Sequence, residues 1–287
     1  MKLACFESGG TVRVGIVDEA AQTVRPLGPE IRDIVDIVER YDELKGRLRG
    51  GDPVPLAGVK LRAPIPAPRR NTMCVGKNYR EHAREFAQSG FEAGAVKGAE
   101  IDEFPAVFTK PASSVVGPGD TVDLHPQATS MVDYEAELAV VIGREGKNIP
   151  KERSYDHVFG YTIINDVTAR DRQRNHKQWF LGKALDTFCP MGPWVATADE
   201  VEPENLEVKA WVNGELRQDA NTRDLIFDIP TLIATISQGM TLVPGDIIST
   251  GTPAGVGIGM KPPTFLKSGD VVEITITGLG KLSNPFA

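Results

Sequence analysis

Short apolar runs and period-two alternation dominate the hydrophobic pattern, and stretches with a helical period are few. Alternation over residues 2–6 and 12–17, around Ser8-Gly9-Gly10, predicts a strand pair, with a short helix at 31–40 after it. Beyond residue 70 the pattern predicts strands at 72–75, 106–110, 131–142, 160–165, 194–197, 206–212, 246–250 and 271–276. Helical spacing returns at 79–88 and at 229–238, ahead of the turn Pro244-Gly245-Asp246. Regular strand–helix alternation, internal repeats and heptads are missing from this pattern, which argues against a doubly wound sheet or a TIM barrel. The fold class expected is α+β, predominantly β. Pro64, Pro66 and Pro68 predict a stiff extended linker. They divide a small N-terminal β module, 1–66, from a larger domain, 70–287. The Gly-rich, acidic stretch 89–104 has poor periodicity, and a loop of that length is either functional or floppy.

Composition sharpens this picture in a few places. The 29 glycines and 21 prolines among 287 residues imply many turns. With 41% hydrophobic and 25% charged residues the chain is not expected to be disordered. The formal charge of −7 argues against nucleic acid as a partner. No apolar run approaches the ~18 residues of a membrane span, and no leader pattern is apparent, so a cytoplasmic protein without a membrane partner is expected. Cys5, Cys74 and Cys189 are widely spaced and form no CxxC, so neither a disulfide framework nor a thiolate zinc site is expected.

Candidate chemistry concentrates in the segment 131–142. In a strand, Val132, Tyr134, Ala136, Leu138 and Val140 share one face, while Asp133, Glu135 and Glu137 share the other, which turns apolar at Ala139 and Val141. A row of carboxylates repels itself unless a cation or bound protons relieve it. Taken alone, E-x-E reads as the solvated face of an edge strand. A second apolar strand, 160–165, ends in Asp166 and competes with that reading. Acidic oxygen donors without a Cys or His pattern suit Mg2+ or Mn2+ and suit zinc poorly.

His82 and Glu85, at i,i+3, share a helix face, although with Arg80, Glu81 and Arg84 around them the pair taken alone reads as a solvated surface pair. The segment 250–259 carries Gly251, Gly255, Gly257 and Gly259 but matches neither phosphate-loop motif, so its glycines are read as letting backbone N–H groups approach a ligand. His125 and His157 are expected to be structural. So is His176, though it lies nearest to chemistry, beside Gln178 and Trp179. Cys74 and Cys189 are expected to be buried thiols, not nucleophiles.

Four blocks occur in one order. They are Asp133-Tyr134-Glu135-Ala136-Glu137-Leu138, Asn165-Asp166-Val167-Thr168-Ala169-Arg170-Asp171, the run from Gln178 to Phe188, and the run from Thr250 to Gly257. Together with Gly76-Lys77-Asn78-Tyr79 they resemble the signature blocks of the fumarylacetoacetate hydrolase family. The resemblance implies a mixed β-sandwich-like roll, a homodimer, and a divalent metal, Mg2+ or Mn2+, held by Glu135, Glu137 and Asp166. Asp133 would stand behind the ligands. It also implies a His82–Glu85 dyad on a lid at about 79–104, Lys183 on a substrate carboxylate or oxyanion, and substrate contacts from Gln173 and Thr252. The activity expected is hydrolysis of a C–C bond in a 2,4-dioxo acid of acylpyruvate or fumarylpyruvate type, through a metal-stabilised enolate and water activated by the dyad. The alternative is oxaloacetate decarboxylation, or tautomerisation or isomerisation of a 2-oxo acid (2-hydroxyhepta-2,4-diene-1,7-dioate isomerase type) on the same site. A non-catalytic metal-binding protein is the competing class, and the joint presence of His82, Glu85 and Lys183 counts against it.

Overall fold

The expected N-terminal strand pair forms as β1 (Lys2–Ser8) and β2 (Thr11–Asp18). Gly9 and Gly10 both hold positive φ between them, the backbone a two-residue hairpin of matching twist requires. The structure is a computed structural model and describes residues 1–90 and 102–287. β3 (Thr23–Pro26) extends the hairpin. The helix expected over 31–40 is shorter, α1 (Ile34–Glu39), because the Asp33 side chain accepts the Asp36 N–H and starts the helix there. α2 (Tyr41–Leu44), β4 (Val54–Pro55) and β5 (Lys60–Leu61) complete the N-terminal part.

After the proline segment come β6 (Thr72–Gly76), α3 (Arg80–Gln88), β7 (Ala106–Lys110), β8 (Val115–Val116), β9 (Val132–Asp133) and β10 (Ala136–Ile142). β11 (Val158–Asn165), β12 (Thr168–Ala169), α4 (Arg170–Asn175), α5 (Phe180–Lys183) and β13 (Cys189–Thr197) follow. The chain closes with β14 (Glu207–Val212), β15 (Glu215–Asn221), α6 (Ile229–Ile236), β16 (Ile247–Ser249), β17 (Val271–Ile276) and β18 (Gly280–Pro285). The main sheet runs β4-β3-β2-β1-β13-β11-β10-β16-β6-β7, with β5 on β1 and β8 on β13. Lys2 and Leu3 pair with Ala196 and Val195, so the N-terminal strands and the later ones are hydrogen-bonded into one sheet. β16–β6 and β8–β13 are parallel and the other pairs antiparallel, which makes the sheet mixed. A second sheet, β15-β14-β17-β18, packs on one face.

This α+β, predominantly β arrangement buries β10 on both sides. Leu138 and Val140 join Val208, Ala210, Ile274 and Ile276 of the second sheet in one core. Ala139 and Val141 join Ile34, Ile37 and Val38 of α1 in another. All seven residues of β10 are buried, Glu137 among them. The edge-strand reading of E-x-E fails here, because β10 lies between β11 and β16. Among the described residues no helix is long and apolar enough to cross a membrane, which says nothing of strands.

The single strand expected over 131–142 is broken between Asp133 and Ala136. Side chains take the backbone donors that a neighbouring strand would otherwise use. Tyr134 N donates to Asp133 Oδ1, Glu135 N to Asn165 Oδ1 and Ala136 N to Gln218 Oε1. β15 and β18 carry no clear apolar alternation and were not expected; as sheet edges they need little. β13 starts five residues earlier than expected, since Pro190 and Pro193 disguise it. The register shifts between Tyr161 and Ile163 on its partner accommodate them.

Gln218 ties the sheets together at the break. Its Oε1 accepts from Ala136 N, and its Nε2 donates to Thr252 Oγ1 and Pro253 O, all buried. Gln218→Leu leaves these groups unpaired and should cost on the order of 2–4 kcal/mol in a urea unfolding titration. A change below about 0.5 kcal/mol would mean that the bridge is not structural.

Candidate active site

The break in the strand delivers Glu135, while β10 delivers Glu137 and the end of β11 delivers Asp166. One carboxylate oxygen from each lies within 4.8 Å of the others, and all three side chains are buried. Asp166 N donates to Glu135 O, which locks the two backbones in register. Burial pushes Glu137 well above the usual carboxylate range, and repulsion from Asp166 and Glu135 adds to it. Ser249 Oγ and Gly251 N hold the same Glu137 oxygen, at 2.6 and 3.1 Å. Three oxygen donors and a repulsion left unrelieved fit a hard divalent cation.

Cations already share the cluster. Lys183 Nζ donates to Glu135 Oε2 at 2.8 Å and Asp166 Oδ2 at 2.7 Å. Lys110 Nζ donates to Asp166 Oδ1 at 2.6 Å and to Val167 O at 3.0 Å. Arg170 reaches Asp133 Oδ2 at 2.9 Å and Glu135 Oε1 at 2.7 Å, and donates to Gln173 Oε1 at 3.2 Å. Burial alone would raise Glu135, yet Lys183 and Arg170 hold it down to about 2. Burial would likewise lower Lys183, but Asp166 and Glu135 overcome it and keep the ammonium protonated.

Asp133 does not join the triad. It accepts from Tyr134 N, Gly257 N, Ile258 N and Arg170 Nε, so it anchors the glycine loop beside the triad. The loop itself differs from the expectation, since its amides face the protein's own carboxylates. Gly251 N meets Glu137, Gly255 N meets Glu85 Oε1 at 3.1 Å, and Gly257 N meets Asp133. Gly255 has φ +100, and a Cβ there would sit 1.9 Å from Arg217 O.

His82 and Glu85 meet on α3, with Nδ1 3.1 Å from Oε2. The surface-pair reading fails because His82 is buried. One cavity is lined by His82, Glu135, Glu137, Gln173, Lys183 and Thr252, and Glu85 stands outside it, behind the imidazole. Every expected site residue except Glu85 and Asp166 therefore faces one space, and Asp166 stands behind it in contact with Lys183. Residues 91–101, the larger part of the expected lid, lie outside the described residues.

Sequence reasoning assigned no role to Lys110, Arg170, Lys77, Phe108 or Trp179. Arg170 sits inside a signature block, and Lys110 ends an apolar strand as Asp166 does, which was the available signal. Phe108 and Trp179 meet edge to face at 5.4 Å and wall the cavity. His125 Nε2 and His157 Nδ1 contact backbone carbonyls, as structural histidines do. Burial raises the Cys189 thiol to about 12, and Cys74 is fully buried too.

A family model for the fumarylacetoacetate (FAA) hydrolase C-terminal region matches residues 71–287. The chain belongs to the fumarylacetoacetate hydrolase family. It is 56% identical over 230 residues to an oxaloacetate tautomerase of Bacillus subtilis (strain 168), spanning 80% of this chain and 73% of that one. A solved fumarylacetoacetate hydrolase from psychrophilic Exiguobacterium antarcticum superposes with TM-score 0.86 at 42% identity, over 100% of this chain and 99% of the other. A maleylpyruvate hydrolase from Sphingobium sp. SYK-6, in complex with manganese(II) and pyruvate, does so with TM-score 0.78 at 34% identity, over 100% and 99%. The family's fold and its enzymatic character thus extend to this chain.

Burial and the neighbouring carboxylates push Glu137 up and so favour its protonated form, and a cation held by the triad would compete with that proton. Mn2+ affinity should therefore rise with pH, with proton release visible by calorimetry in buffers of different ionisation enthalpy. Glu137→Gln should weaken binding and flatten the pH dependence. A pH-independent affinity in the unmodified protein would refute the assignment.

Proposed function

We propose that this protein is a metal-dependent tautomerase of a small 2-oxo diacid of oxaloacetate type, with Mg2+ or Mn2+ held by Glu135, Glu137 and Asp166. The observation that carries the reading is His82 lining one cavity with Glu135 and Glu137 of the triad, with Glu85 behind its ring. The oxaloacetate tautomerase from Bacillus subtilis favours this alternative over the C–C hydrolysis that led the sequence reading. A homodimer in the cytoplasm belongs to the same proposal, and exposed Phe104, Val107, Phe180 and Leu181 offer apolar surface for it.

A divalent cation in the triad would supply Lewis acidity toward the 2-oxo and carboxylate oxygens. The protein's own residues do the rest. With Nδ1–H donating to Glu85, the imidazole keeps Nε2 as a base, and the carboxylate orients the ring. His82 moves one proton between C3 and the 2-oxygen, so nothing is added or lost. Lys183 is held as an ammonium, which makes it a donor and not a base. Two of its three protons are engaged by Glu135 and Asp166, and the third is left for a substrate oxygen. Thr252 Oγ1 accepts from Gln218, leaving its own proton to donate. Gln173, fixed by Arg170, lines the same wall.

The test is a comparison of three reactions on the metal-loaded protein: enol-to-keto conversion of oxaloacetate by ultraviolet absorbance, pyruvate release from oxaloacetate, and acetylpyruvate hydrolysis. Tautomerisation should be the fastest. His82→Ala should lower it about 100-fold or more while leaving metal binding intact. Faster acetylpyruvate hydrolysis would return the hydrolase reading, and full activity of the His82 variant would remove the dyad from the mechanism.

A further inference from the structure

Lys77 is a cation of the cavity wall that the proposed chemistry leaves unused. The buried cations beneath it are committed. Lys183 is shared by Glu135 and Asp166, Lys110 is bound to Asp166, and Arg170 spans Asp133 and Glu135. The ion-pair partner of Lys77 lies outside that cluster. Its Nζ lies 2.5 Å from Asp102 Oδ2, and the two side chains keep 10% and 20% of their exposure.

The backbone holds Lys77 in place. Its φ is +54, a left-handed conformation that costs a lysine about 1 kcal/mol relative to glycine. The next residue enforces it: Asn78 is fully buried, its Nδ2 donates to Thr250 O and Phe227 O, and its Oδ1 accepts from Phe227 N. Gly251 packs against the same segment, since a Cβ there would lie 2.7 Å from Asn78 Cβ and 3.0 Å from Val75 O. Lys77 is thus fixed beside the Gly251–Thr252 loop, where glycine would serve the turn more easily than lysine.

Resting on the tautomerase reading above, we propose that Lys77 recognises the second carboxylate of the substrate and makes the site prefer 2-oxo diacids over 2-oxo monoacids. The substrate carboxylate replaces Asp102 as the partner of the ammonium, so one ion pair is exchanged for another. A monoacid has no group to make that exchange.

The exchange gives the two members of the pair opposite effects. Binding to the Mn2+-loaded protein is measured by calorimetry with 2-oxobutyrate and with 3,3-difluorooxaloacetate, a diacid that has no C3 proton to move. The unmodified protein should prefer the diacid about tenfold to a hundredfold, the range of one charge-assisted pair. Lys77→Met should abolish the preference, Lys77→Arg should keep it, and Asp102→Asn should tighten diacid binding by removing the competitor. If Lys77→Met keeps the preference, or if Lys77→Met and Asp102→Asn weaken diacid binding alike, Lys77 is only a structural ion pair and the inference falls. Should Lys77→Met not fold, the arginine and asparagine variants decide. A protein that shows these shifts but does not tautomerise oxaloacetate would lose the proposed reaction and keep this role for Lys77. Tautomerisation with the preference intact in Lys77→Met would do the reverse.

Discussion

Mutual repulsion among buried carboxylates governs the structure around the site. Asp133, Glu135, Glu137 and Asp166 are all removed from water, against three buried cations, Lys110, Arg170 and Lys183. Charges this deep persist only when paired or hydrogen-bonded. Each carboxylate has a separate solution. Asp133 takes three backbone amides and a guanidinium, Glu135 and Asp166 share ammonium groups, and Glu137 is pushed toward protonation. With all four carboxylates ionised one negative charge is in excess, and a divalent cation that displaces the Glu137 proton would turn it into one positive charge. A site of that sign attracts an anionic acid.

The fold is arranged to keep this cluster rigid and dry. β10 is covered by the second sheet on one face and by the α1 side on the other, so Glu137 cannot reach solvent by a small shift. The break before β10 gives up ladder bonds, and Asn165 and Gln218 replace them, which places Glu135 at the turn and not in the pleat. The glycine loop then closes over three acidic residues with its amides. It contributes oriented dipoles without a side chain, and its crowding against Arg217 and Asn78 explains the glycines at 251 and 255.

Much of the site was legible from residue type and order. A carboxylate at the end of an apolar strand, as with Asp166, is costly without a counter-charge, and that cost shows in one dimension. Lys110 carries the same mark but lies in a five-residue strand that gave no reason to look for its partner. Asp133, Glu135 and Glu137 read as one face of one strand. Their division between loop anchor and buried triad followed from backbone donors captured by Asn165 and Gln218, residues 30 and 82 positions away. Two of the strands that were overlooked, β15 and β18, are sheet edges with little burial to pattern them.

The sequence by itself determined the β-rich class, the helices at 79–88 and 229–238, and the acidic residues and i,i+3 pair that are the candidates for chemistry. Each rests on local periodicity or on chemistry within a short stretch, and so needs no knowledge of distant neighbours. Tertiary structure alone decided which carboxylates converge, which cations neutralise them, that His82 is buried and faces the cavity, and that the glycine amides serve the protein's own acids. Those outcomes depend on groups brought together across tens of residues, where burial makes a charge expensive and distance selects its partner.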